Sequence, residues 1–192
     1  MLRVGRRLAL VILVLSASCA EPPNKEINQA QGAIDAARAA GADRFATTEF
    51  AAATDALTRA EQAVGARDYR LALNHAIDSR ERAQSAARMA VEGRADARGQ
   101  AERSIAEVAT LISRAQAQLK DPDVVRSNGR TLREPRATVA AAEKMLQEAR
   151  SALAAENYAA VAKALNGTAG DLQAALTEID AVASPGTSRR KR

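Results

Sequence analysis

Two residues of this chain carry distinctive reactive groups, one cysteine and one histidine, and neither sits in a catalytic pattern. Cys19 is the sole thiol among 192 residues, so no intrachain disulfide can form. It follows Ser16-Ala17-Ser18, an apolar run from Leu8 to Leu15, and a start holding Arg3, Arg6 and Arg7 but no acid. A basic start, a short apolar run and small residues before a cleavage point form the pattern of an export signal. The run falls well short of the roughly 20 residues that cross a hydrocarbon core. His75 stands beside Asn74 and Asp78 with no second histidine in the chain, no HExxH pair, no cysteine cluster and no glycine-rich phosphate loop. It reads as a surface or helix-interface histidine. Glu26, Glu49, Glu61 and Glu143 read as solvated helix residues, with Glu49 at an early-turn position that the helix dipole favours. No catalytic set, metal site or cofactor is therefore expected, and the chain is read as a non-enzyme.

The segment Leu15-Ser16-Ala17-Ser18-Cys19 resembles the bacterial lipobox, with serine at the place, three residues before the cysteine, where that pattern has leucine. The resemblance implies cleavage that leaves Cys19 as an acylated N-terminus; a plain secreted chain is the alternative. Acylation would also remove a free thiol from an oxidising compartment. Each buried CH₂ of an acyl chain is worth about 0.8 kcal/mol, so two or three chains anchor firmly where one holds only reversibly. In a Gram-negative envelope the resemblance further implies the outer membrane, facing the periplasm, because Ala20 stands after the cysteine where the inner-membrane retention mark has aspartate. The expected partners are a lipid membrane through Cys19 and an envelope protein or cell-wall polymer; the oligomeric state is left open.

The charge of +5 comes from 28 bases and 23 acids, but it is concentrated at the ends. Without Arg3, Arg6 and Arg7 there are 25 bases, and without Arg189, Arg190, Lys191 and Arg192 the body has 21 against the same 23 acids. Such a body gives no support to nucleic-acid binding. The terminal cluster is either a solubilising end or a contact for an anionic surface. Phe45, Phe50, Tyr69 and Tyr158 are the only aromatics, too few for a roomy ligand pocket or a base-stacking platform. Alanine supplies most of the apolar content, and alanine favours helix and lets helices approach closely.

Helical spacing runs through nearly all of the remainder. Ile27, Ala30, Ile34 and Ala37 predict a helix over 25–40 that stops at Gly41, and Thr47 or Thr48 offers a cap to a second carrying Phe50, Ala53, Leu57, Ala60 and Val64. A third pattern opens at Tyr69. It either continues past Val91 to Leu119 as one very long helix or breaks between Gly93 and Gly99. Asp121-Pro122-Asp123 and Ser127-Asn128-Gly129 read as loop. Pro135 suits the first turn of a helix reaching Ala155, and Asn157 begins another reaching Ala183, weakened by Gly167 and Gly170. The predicted fold is all-α, elongated, made of antiparallel helical hairpins or a bundle. Its parts are an export signal (1–18), a lipidated tether (19–24), a first hairpin or bundle unit (25–92), a helical connector and loop (93–131), a second hairpin unit (132–183) and a basic tail (184–192).

A shift of eighty-nine residues lays Leu57 on Leu146, Ala60 on Ala149, Ala63 on Ala152, Asp68 on Asn157 and Tyr69 on Tyr158. The shared turn and aromatic point to a repeated hairpin. At those turns Tyr69 and Tyr158 serve either as hairpin packing or as exposed interaction anchors. The first copy also resembles a helical domain of uncharacterised bacterial envelope lipoproteins, the DUF4398-like group. The features that match are Ala33-Ile34, Gly41-Ala42, the segment from Phe45 to Phe50, Leu57, Ala60, Ala63, Asp68-Tyr69, Ala72 and Ala76. The resemblance implies an envelope helical hairpin or bundle with no catalytic residue to carry over. The expected role is a membrane-anchored structural or protein-interaction scaffold; the alternative is a periplasmic chaperone-like or small-ligand binding module.

Overall fold

A computed structural model describes residues 21–126 and 130–183. Cys19 and the basic cluster Arg189, Arg190, Lys191 and Arg192 lie outside those residues. All regular structure among the described residues is helical: α1 (Asn24–Ala39), α2 (Ala42–Phe45), α3 (Thr47–Gly65), α4 (Tyr69–Leu119), α5 (Pro122–Val125), α6 (Arg133–Ala154), α7 (Tyr158–Ala164) and α8 (Thr168–Ala183). No described helix is long and apolar enough to cross a membrane. The chain divides into two units, with the boundary between Gly93 and Arg94.

In the first unit, α1 buries Ala30, Ile34 and Ala37, the three- and four-residue spacing that puts them on one face. They pack in a single core with Ala53 and Leu57 of α3 and Ala83, Ala86 and Ala90 of α4. Burying one alanine methyl is worth only about 0.8 kcal/mol, so this core rests on many small terms and on the close approach that small side chains permit. One polar group joins it. The fully buried Ser79 hydroxyl donates to the Ala53 carbonyl oxygen at 2.9 Å, across the α3–α4 hairpin.

The second unit begins with residues 94–119, the stretch of α4 that sequence reads as a connector, where Ala101, Val108, Ile112 and Ala115 are buried. Its other buried residues include more large side chains than the first unit's, among them Val139 and Leu146 on α6, Val161 on α7, and Leu172, Leu176 and Ile179 on α8. Gly93 and Gly99 do not interrupt α4, which settles the open alternative in favour of one helix. Two local expectations change. Asp121-Pro122-Asp123, read as loop, starts the single turn α5, because the Asp121 carboxylate accepts from the Asp123 N–H at 2.9 Å and Pro122 occupies the first helical position. The helix expected from Asn157 to Ala183 divides into α7 and α8, because Gly167 takes φ +78°, outside the helical region.

The repeated turn is one device used twice. At the end of α3, Arg67 adopts φ 56°, its N–H donates to Val64, and the Asp68 N–H reaches back to Ala63, both at 2.9 Å. At the end of α6, Glu156 adopts φ 53°, its N–H donates to Leu153 at 3.0 Å, and the Asn157 N–H reaches Ala152 at 2.9 Å. Both are Schellman closures with a non-glycine residue in the left-handed position. Each is followed by the same cap: Asp68 Oδ1 accepts from Leu71 N–H at 3.0 Å, and Asn157 Oδ1 from Ala160 N–H at 3.2 Å. The correspondence extends beyond the turn, since Ser79 and Thr168, the two buried polar residues noted among the described residues, also stand eighty-nine apart.

Matched substitutions at these turns should therefore have matched effects. Arg67→Gly and Glu156→Gly are each expected to stabilise by about 0.5–1 kcal/mol through relief of left-handed strain. Asp68→Ala and Asn157→Ala should each cost about 1 kcal/mol through loss of the cap. Site-resolved hydrogen exchange across each hairpin measures all four. Opposite signs at equivalent positions would show that the two turns are not one device.

Candidate interaction surfaces

Each tyrosine occupies the first helical position after its Asx cap, because the closure reverses the chain just before it. Tyr158 is buried, with 8% of its surface accessible, whereas Tyr69 at the matched place is half-buried. The repeat thus positions two rings alike along the chain and leaves them unequal access to a partner. His75 on α4 is half-buried. Of the four glutamates considered from sequence, Glu49 approaches Arg82 at 3.4 Å and Glu143 accepts a short hydrogen bond from Gln116. Among the described residues no group of three or more histidine, cysteine, aspartate or glutamate side chains is placed to hold a metal ion.

The surface of the first unit carries several interhelical polar contacts. Arg82 of α4 pairs with Asp78 at 2.9 Å and with Glu49 of α3, while Arg80 donates to Gln29 of α1 at 2.9 Å. Arg38 and Arg44 lie over the rings of Phe50 and Phe45, 5.5 and 5.4 Å from the centroids, a cation–π arrangement worth about 0.5–1 kcal/mol when exposed. Met89 and Val91, near the end of this unit's part of α4, are 47% and 63% exposed.

Two of the second unit's grooves flank α6. One, of about 560 Å³, runs between α4 and α6 and is lined by Ile112, Gln116, Glu143, Lys144, Leu146 and Arg150 among others, a mixed-charge surface. The other, of about 450 Å³, lies between α6 and α8. It is lined by the buried Ala142 and Ala175, the exposed Met145 and the carboxylates of Glu134, Asp171 and Glu178, among others. The Thr168 hydroxyl faces Met145 Sδ at 3.4 Å across this groove. Sequence reading did not single out these three acids. The signal was present, since Asp171 and Glu178 stand seven residues apart on one helical face.

Elsewhere in this unit Glu102 holds Arg98 above its ordinary pKa, first by accepting its hydrogen bond at 2.8 Å and then through its charge. That direction keeps the guanidinium a fixed cation and gives it no proton to exchange. The first unit thus offers charge and apolar edges, and the second offers grooves with charged rims.

The family described as "Domain of unknown function (DUF4398)" matches residues 25–122, the first unit together with the remainder of α4 and the start of α5. No curated protein and no solved structure matches the chain.

Proposed function

Because the chain belongs to the DUF4398 family, whose description assigns no activity, we propose from its own residues that it is a lipid-anchored scaffold of the bacterial cell envelope, holding an envelope protein or cell-wall partner. The observation that carries this reading is the placing of the only cysteine at the end of an export-signal pattern, ahead of an all-helical body. In this reading, acyl chains on Cys19 hold the protein at the outer membrane, facing the periplasm, and the helical units present their surfaces there. The protein acts by binding, not by catalysis. The chain's one histidine stands in no catalytic motif, which supports this reading.

Fractionation of cells expressing the wild type and Cys19→Ser tests the anchor. The wild type should sediment with membranes and yield an acylated N-terminal peptide by mass spectrometry, while Cys19→Ser should appear in the soluble fraction. Equal release of both would defeat lipid anchoring. In-cell crosslinking of the wild type tests the scaffold, and one or a few reproducible envelope partners are expected. Turnover of a defined substrate by the purified protein, with no enriched partner, would replace the scaffold with an enzyme.

A further inference from the structure

The two units share one sequence frame, and one place where they differ along it is the hairpin groove. In the first unit Arg82 lies between Asp78 and Glu49, at 2.9 and 3.4 Å, so that a cation bridges α3 and α4. Eighty-nine residues on, Glu49 is replaced by Thr138, Asp78 by Gly167 and Arg82 by Asp171. Phe45 and Met89 likewise give way to Glu134 and Glu178. The second unit has therefore lost the bridging cation and gained carboxylates at three places around the same groove. No basic residue lines it. Carboxylates beside alanine and methionine side chains attract a cation with an apolar stem, and an arginine or lysine side chain has that form.

We propose that the groove between α6 and α8 is the docking site of the chain's own basic segment, Arg189-Arg190-Lys191-Arg192, whose side chains take the place that Arg82 fills in the first unit. This inference is independent of whether Cys19 carries lipid. Three further observations support it. Five residues separate the segment from α8, which ends at Ala183 with Glu178 in its last two turns. Ser184-Pro185-Gly186-Thr187 carries the Pro-Gly pair whose sequence favours a reverse turn. Past such a turn, the five residues from Ser188 to Arg192 span up to about 17 Å at ~3.4 Å each. Asp171 lies about 18 Å back along α8 from Ala183 at ~1.5 Å per residue, so the segment is long enough to pass Glu178 and bring an arginine side chain to Asp171. Alternate residues of an extended segment face one side, which offers Arg190 and Arg192, or Arg189 and Lys191, to the groove together.

Lys191 permits a test on the unaltered chain. Zero-length carbodiimide coupling of the purified full-length protein in detergent joins its amine to any carboxylate in contact, and tandem mass spectrometry of the monomer maps the joined pair. Coupling to Glu134, Asp171 or Glu178 is expected at least about five-fold above coupling to Glu143 or Glu148, and it should fall several-fold in 1 M salt, where the screening length is about 3 Å. A second variant, Thr138→Glu with Asp171→Arg, rebuilds the bridge of the first unit. It should retain the helical circular-dichroism signal and reduce Lys191–Glu178 coupling to background. Coupling spread evenly over exposed carboxylates, coupling only between molecules, or coupling to Glu178 that the double variant leaves intact would each overturn the proposal. Coupling of the groove acids to a different protein in cell extracts, with none to Lys191, would assign the site to a partner instead.

Discussion

Truncation of Leu172 to alanine is expected to cost about 2–5 kcal/mol, the range for removing a buried leucine side chain from a core that relaxes only in part. Leu172 is completely buried on α8, in a unit whose core also includes Leu132, Leu146, Leu165, Leu176 and Ile179. Its counterpart in the first unit is Ala83, eighty-nine residues earlier and equally buried, so the same helical position is filled by a methyl group in one hairpin and by an isobutyl group in the other. The consequence is that the second unit has far more to lose at this place. Hydrogen exchange of the full chain reads the loss where it occurs. Protection along α6, α7 and α8 should fall by the equivalent of about 2–5 kcal/mol, about 30- to 5,000-fold, while amides of α1 and α3 keep theirs. A change below about 1 kcal/mol would show that the site collapses around the truncation. An equal fall in α1 and α3 would show that the two units open together, against the division at Gly93 and Arg94.

What sequence reading recovers, and what it leaves unread, follows from the range over which each signal acts. The helices are legible because burial repeats every three or four residues within a single element, as at Ala30, Ile34 and Ala37. The repeated turn is legible because its closure and cap lie within nine residues, from Ala63 to Leu71. Capping at Thr47 or Thr48 is not recovered. Ala46 holds the N-cap position and no side chain caps α3, the Phe50 N–H donating to the Ala46 carbonyl at 3.0 Å as the first helical bond. There the short loop around α2 fixes where the helix begins, overriding the local preference for a hydroxyl. The groove between α6 and α8 is invisible to periodicity, because it depends on which residues face each other across two helices. It becomes legible only when the two copies are set in register, since the replacement of Arg82 by Asp171 has no meaning in either copy alone.

Gly93 presents the same ambiguity at one residue, and a pair of chemically identical substitutions resolves it. A glycine inside a long helical pattern is consistent with a break, which its backbone freedom permits, and with a close contact, which its missing side chain permits. The second holds here. A Cβ added at Gly93 would lie 2.9 Å from the Phe45 carbonyl oxygen and 3.3 Å from the Phe45 Cβ, and Phe45 closes the short helix α2, where a backbone atom cannot swing aside as a flexible side chain would. Gly93→Ala gains about 1 kcal/mol of helix propensity against about 1–3 kcal/mol of overpacking, and because the obstruction is main chain the upper part of that range applies. A net loss of about 1–2 kcal/mol is expected. Gly32 supplies the opposite case, an exposed glycine inside α1 with open space where its Cβ would be, so Gly32→Ala should gain up to about 1 kcal/mol. Hydrogen exchange or chemical denaturation followed within the first unit should therefore separate the two variants by about 1–3 kcal/mol, with opposite signs. Stabilisation by both would mean that the Phe45 corner gives way at little cost, and that α4 passes Gly93 unbroken through helix propensity alone.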